Sequence, residues 1–452
     1  MQQTLFQVEQ FDHPKLHLFK QTSLGQIHQT IPWEALASCL PRIDKSKPGP
    51  KPWFTNQGML ALMFLKHLLD TSDEKLIERF NTDWPLQLFC GKLLSETEKV
   101  RDTAIVSKVR GYIADQADWQ PLQGVLLSHW KDDMDLTSLL LMDATVYESY
   151  IRFPTDVKLL WESCIWVYQH ILFKSCKLLK IKRPRNKFID QKRKQQTYFK
   201  LRKKSYKKGR KRHTSLLYLL RKGLDQLQQV LDDHPNLTLT HLQSHYLRTI
   251  KKVLMQQQKL AVDPQAKIAD RIVSLHKPYI RTIKTGKENK PNEWGMKAHM
   301  LQCDGVSWFD CMQFNPFNEC KRLKVSVAKH KQAFGHCHQL GADRIYATNE
   351  NRRYLSEKQI FHGFVTKGRP RKDHNKNKAI DVLKSQINKV RSTHLEGAFG
   401  NHKNHYGLRK VKALREETEK TWVFFGVMAA NAVLLTKRRR KPPPEESLKK
   451  AA

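Results

Sequence analysis

The sequence predicts a mixed α/β core that follows a helical N-terminal domain and is interrupted by a basic helical insertion. Three observations carry this. Apolar residues recur at helical spacing through most of the first 130 positions; the period shortens to two near 136 and again over 279–314; and the long stretch between those two places returns to helix. At 452 residues the chain has room for two or three domains.

In "NQGMLALMFLKHLLDTSDEKLIERF", residues 56–80, Leu60, Phe64 and Leu68 stand four apart, as do Leu76 and Phe80, and Thr71-Ser72-Asp73 between them brings N-cap chemistry. Two helices and a turn result. "PWEALASCL" before them and "TAIVSKVRGYIADQ" after complete a helical domain over 1–130. Strands begin at 136–151, where Thr145, Tyr147 and Ser149 alternate with Val146, Glu148 and Tyr150, so the first strands of the core occupy 131–160. "FPTD" at 153–156 supplies a turn; Asp156 is expected to cap the next helix and Glu148 to pair with a lysine or arginine. The insertion, 161–270, is built from runs such as "HTSLLYLLRKGLDQLQQVL". Over 271–438 the core resumes with Asp304-Gly305 between two alternating arms, a hairpin signal. A helix ("ECKRLKVSVAKHKQAF"), a strand running into "GADRIYA", a strand at "HGFVTKG" and a helical block from about 376 to 436 follow, and 439–452 is a tail.

Net charge is +38, which creates a field that draws polyanions, so double-stranded DNA is the first partner to consider. An anionic membrane surface is the plain competitor, but no single amphipathic helix concentrates the charge. The stretch 181–213 holds one acid among many cations, and Lys192, Arg193, Lys194, Arg202, Lys203, Lys204, Arg210, Lys211 and Arg212 are its candidate phosphate contacts. Phe188, Tyr198, Phe199 and Tyr206, interleaved with them, suggest base stacking; a solvated face or linker is the alternative. Eight cysteines without CxxC spacing, in a chain lacking a secretory signal, fit reduced thiols and a cytoplasmic location. The longest apolar run, "TWVFFGVMAANAVLL" at 421–435, is shorter than the roughly 20 residues that span a bilayer, so it reads as a core helix.

Three carboxylates stand out. Asp143 ends an apolar strand in "LLLMDATVYESY", where an ionised group needs an arginine, a backbone cap or a metal ion to offset lost hydration; a salt bridge is the ordinary outcome. Asp343 follows a short strand in "LGADRIYA", and Glu396 lies on a helix in "RSTHLEGAFGNHKNHYGL". Lys403, seven residues on, shares the Glu396 face, and Gly397 and Gly400 thin the helix for a close approach. Gathered together, three acids would require cations, and oxygen-only ligands suit magnesium or manganese. Two such ions about 4 Å apart activate a nucleophile and stabilise a leaving oxygen, which is phosphoryl-transfer chemistry.

"LLLMDATVYESYIRFPTDVKLLWE", "GADRIYATNENRRYL" and "RSTHLEGAFGNHKNHYGL" resemble, in order, the three catalytic blocks of bacterial insertion-sequence transposases of the DDE class, which have a ribonuclease-H-like core. Residues 56–110 resemble the helical domain that precedes that core, which implies that the 1–130 domain helps to bind DNA, and "KTGKENKPNEWGMKAHM" resembles the strand between the first two acids. The resemblance implies that Asp143, Asp343 and Glu396 bind Mg2+ or Mn2+, two ions in all, and that Lys403 and Arg391 contact DNA. It implies metal-dependent DNA cleavage and strand transfer by a homodimer on two element ends, in the bacterial cytoplasm and with no membrane. Ile345 stands where relatives often carry glycine, and "ATNENRRY" replaces a more usual acidic or serine segment. A nuclease that cuts without joining, or a catalytically silent DNA-binding descendant, would carry much of the same sequence.

Overall fold

The computed structural model describes residues 14–43, 52–286, 288, 290–367 and 374–440. The tail "KPPPEESLKKAA" lies outside the described residues. The chain forms two compact units: Met1–Tyr150 with Met296–Ala452, and Ile151–Gly295. It is mixed α/β, with strands β1 (Leu139–Glu148), β2 (Thr282–Lys284), β3 (Asn292–Cys303), β4 (Val306–Gln313), β5 (Gln339–Ala342) and β6 (Phe361–His362).

In the first unit the strand order is β4-β3-β1-β5-β6. β3 and β4 are antiparallel, joined through Asp304 and Gly305 at φ 47° and 77°. Positive φ at both central residues is the tight hairpin that Asp-Gly favours. β1, β5 and β6 run parallel. Leu140, Leu141 and Met142 are buried, as a strand covered on both faces requires. β6 is shorter than "HGFVTKG" suggested, because Phe364 leaves the ladder, is buried, and lies 5.5 Å beneath the Arg352 guanidinium.

The apolar run at 421–435 is the middle of the helix Glu416–Arg439, buried along most of its length. No helix among the described residues is long and apolar enough to cross a membrane. Helices Asn56–Leu68 and Ile105–Gln116 pack on it. Phe64 meets Phe425 edge-on at 5.3 Å, and Arg110 and Lys66 lie 4.4 and 5.0 Å from the Trp422 ring while both pair with Asp73 at 3.1 Å. The buried Thr30 and Thr436 hydroxyls are 2.9 Å apart. The buried Gln123 side chain donates to the Phe309 carbonyl of β4 and accepts from its amide, so the N-terminal helices and the sheet share one interior. Ser72 caps the helix Asp73–Thr82, as its place in the turn suggested. Residues 52–130 carry eight Lys and Arg against ten Asp and Glu, so these helices offer no basic excess.

The second unit is helical, with β2 paired antiparallel to the first residues of β3. Thr155, rather than Asp156, caps the helix Asp156–Ile165: its hydroxyl accepts from the Lys158 amide, while Asp156 accepts from Arg271 at 2.7 Å and Gln257 at 2.8 Å. The expectation of base stacking fails for most of the aromatics between the basic residues. Phe188 is buried and stacks on Trp161 at 5.5 Å, and Tyr198 and Phe199 pack against the same core; Tyr206 is exposed. Apolar area is worth more inside than on a bare face, and the helix Phe188–Lys200 turns its three rings inward.

Candidate active site

β1 and β5 pair in parallel from Leu139 with Gln339 to Met142 with Ala342. The next residue on each chain is an aspartate, Asp143 and Asp343. Adjacent strands lie about 4.8 Å apart, so the two carboxylates emerge side by side at the end of the ladder. Asp143 is mostly buried and Asp343 is exposed. Each accepts a hydrogen bond from the following backbone amide, Ala144 at 2.8 Å and Arg344 at 2.7 Å.

Glu396 reaches the same place through Arg391. The Arg391 Nη1 atom is 2.9 Å from Asp143 Oδ2 and 3.1 Å from Glu396 Oε1. Five residues apart, Arg391 and Glu396 would diverge on an α-helix. Residues Arg391–Glu396 instead form a π-helical turn, whose hydrogen bonds span five residues and which stacks the two side chains. The α-helix resumes at Gly397–His405, and Lys403 Nζ lies 2.9 Å from Thr145 Oγ1, two residues beyond Asp143 on the same face of β1. Gly397 and Gly400 face open space, so no other part of the described chain uses their lack of a side chain.

Burial pushes Asp143 up to about 6; the Ala144 amide and Arg391 pull the other way, and Glu319 and Asp343 add to the rise. Glu319, which the sequence reading passed over, is thus a further acid around Asp143. It opens the 3-10 turn Glu319–Arg322 after the hairpin, pairs with Lys297 at 2.6 Å and accepts a long hydrogen bond, 3.5 Å, from the Tyr346 hydroxyl. Tyr346 is buried three residues after Asp343, and the His299 ring lies 2.7 Å from its hydroxyl and 3.1 Å from Asp310. Asp310, fully buried, also takes Arg322 at 2.8 Å and Lys329 at 3.0 Å, and its carboxyl is held far below the usual range despite burial. This chain of polar groups braces the turn that carries Asp343. Only the Asp-Gly hairpin was visible beforehand, since the partners are scattered over 299–346.

β1 runs on past Asp143 to Glu148, so the carboxylate ends the apolar run and the β1–β5 ladder rather than the strand; the donor atoms there are carboxylate oxygens, and Asp143 remains poorly compensated even beside an arginine. Such a set fits a hard divalent cation. Among the described residues no three His, Cys, Asp or Glu side chains already converge on one point. Arg391 stands between Asp143 and Glu396 and supplies the positive charge there.

The basic candidates are divided. Lys192, Arg193, Lys194, Arg202, Lys203, Lys204, Arg210 and Lys211 are exposed in the second unit. Arg212 is not: its guanidinium donates to Gln191 and Gln195 at 2.7 and 3.0 Å in the interior, so it leaves the set of phosphate contacts. Glu148 pairs with Lys410, as expected.

A family model, Transposase domain (DUF772), matches residues 13–111. The match spans less than a quarter of the chain and supports a transposase in general terms. It covers the N-terminal helices and ends before β1, so it touches none of the three acids. No curated protein and no solved structure matches the chain.

Proposed function

We propose that the protein is a DDE-class transposase of bacterial insertion-sequence type, with a ribonuclease-H-like core, that cuts DNA at the ends of a mobile element and joins the freed 3′-hydroxyls to target DNA. The observation that carries this reading is the adjacency of Asp143 and Asp343 at the end of a parallel ladder, with Glu396 tied to the first through Arg391. The order of the sheet, an antiparallel hairpin beside three parallel strands, supports the core, and the N-terminal match supports the general activity.

Asp143, Asp343 and Glu396 are the residues that would hold Mg2+ or Mn2+, two ions in the full site. Bound there, such ions activate the attacking hydroxyl and stabilise the leaving oxygen. The chain's own contribution is positional. The two ladder aspartates are held by backbone amides, and the π turn brings Glu396 to the arginine that pairs with Asp143. Lys403, beside Thr145, offers a cation to a DNA phosphate close to the acids, and Arg391 is available to a second phosphate once it is released from the carboxylates. Hydrolysis and strand transfer are the same in-line displacement with different nucleophiles, so one site serves both. The exposed cations from Lys192 to Lys211 would bind flanking phosphates, and handling two element ends calls for a homodimer on DNA in the cytoplasm.

The test is a reaction with Mg2+ and duplexes carrying the DNA that flanks the protein's own gene. Joined products support a transposase. Cut products without joining favour a nuclease on the same core, and DNA binding without either product favours a silent DNA-binding descendant.

A further inference from the structure

We propose, resting on the transposase reading, that the exposed face of the helix Tyr206–Asp233 enters the major groove of duplex DNA and discriminates its sequence. Lys207, Arg210, Lys211, Thr214, Tyr218 and Arg221 are all exposed. At 3.6 residues per turn they fall within an arc of about 100°, over about 21 Å of axis. The opposite face, with Leu216, Leu220 and Leu227, is buried in the core of the second unit. The stripe is therefore held rigidly on one side and left bare on the other.

Its chemistry suits one partner. The stripe contains no acid until Asp225, and among the described residues Lys207, Arg210, Lys211 and Arg221 form no ion pair. The surrounding segment 181–222 holds 18 Lys and Arg against the single Asp190, close to half of the net +38. Phosphate attraction alone would be satisfied by lysines. Arg210 and Arg221, however, carry the fork that pairs with guanine edges, and between them lie a Tyr218 that is 68% exposed, offering a hydroxyl and apolar surface, and Thr214, whose hydroxyl donates to the Arg210 carbonyl and is left to accept. The major groove of B-DNA is about 12 Å wide and accepts one α-helix. Helices in 52–130 do not compete, having more acids than bases; Arg110 is buried there, and Arg79 and Lys108 are paired with Asp83 and Asp102.

Selection from a randomised 20-base-pair duplex pool with the full chain, without divalent cation, tests the proposal. Wild type is expected to enrich a sequence. In Arg210→Ala/Tyr218→Ala/Arg221→Ala the preference for that sequence over random duplex should fall at least 10-fold. Lys207→Gln/Lys211→Gln should weaken binding to both duplexes and reduce the slope of log K against log salt by about 2. Because all five residues are exposed, the thermal midpoints should match wild type. Sequence preference and salt slope that survive in the variants overturn the placement on this helix while leaving the transposase reading intact. Wild type that binds no duplex overturns the transposase reading itself. Tighter binding to single-stranded DNA or RNA of equal length overturns the groove.

Discussion

Asp143 and Asp343 are lateral neighbours, each one step past the last register pair of β1 and β5, Met142 with Ala342. Two hundred positions of chain separate them, yet the parallel ladder leaves them no other relative placement. Their crowding also involves Glu319, and the energetic consequences can be measured one residue at a time.

Asp143→Asn should abolish DNA cleavage and leave duplex binding within about threefold of wild type. It should also stabilise the fold at alkaline pH. With its carboxyl raised from 3.8 to about 6, Asp143 contributes stability that is present below pH 3.8 and lost as pH rises through about 6. The amide has no charge to bury, so the variant should exceed wild type by up to about 3 kcal/mol at pH 8 and match it near pH 4. Urea denaturation at the two pH values is the measurement; equal differences at both would remove burial as the cause.

Arg391→Gln should lower the thermal midpoint when no divalent cation is present, because Asp143 and Glu396 lose the cation between them. Mn2+ should restore the midpoint, and calorimetry should find Mn2+ bound more tightly than by wild type. Weaker Mn2+ binding in the variant would mean that Arg391 supports an ion rather than standing in its place.

Asp310→Ala should cost about 2–4 kcal/mol, since it removes the buried carboxylate shared by His299 and the part-buried Arg322, while the more exposed Lys329 can turn to water. Cleavage by whatever fraction folds should fall too, as the turn bearing Asp343 loses its brace. A loss under about 1 kcal/mol in denaturant titrations would contradict the network.

Arg212→Ala and Arg210→Ala separate interior from surface two residues apart. The first removes hydrogen bonds to Gln191 and Gln195 and should cost about 1–3 kcal/mol; the second should leave stability within about 0.5 kcal/mol and weaken DNA binding. Filter binding together with thermal melts distinguishes the two.

Much of this was legible in the sequence. Period, cap chemistry and the Asp-Gly turn identify the helices at 56–82, β1 and the β3–β4 hairpin, because each rests on residues close together in the chain. What escaped depends on contacts distant in sequence or on departures from the ordinary period. The pairing of Arg391 with Glu396 needs a π turn, and no local pattern in "RSTHLE" marks one. Glu319 looks like any acid at a helix start until Tyr346 and Asp143 surround it. Arg212 reads as one more cation in a basic run, and only the packing of Gln191 and Gln195 turns it inward. Thr155 displaced Asp156 as the cap because Arg271 and Gln257 engage the carboxylate.

The helix Glu416–Arg439 has a temporal consequence. It covers Phe64, His67 and Arg110, yet it leaves the ribosome about 350 residues after Asn56–Leu68. At about 5–20 residues per second, the apolar flank of Asn56–Leu68 waits on the order of tens of seconds for its cover during synthesis. A nascent chain stopped before 416 would therefore present that flank to chaperones or to aggregation, and premature termination should yield insoluble product instead of a free-standing N-terminal fragment.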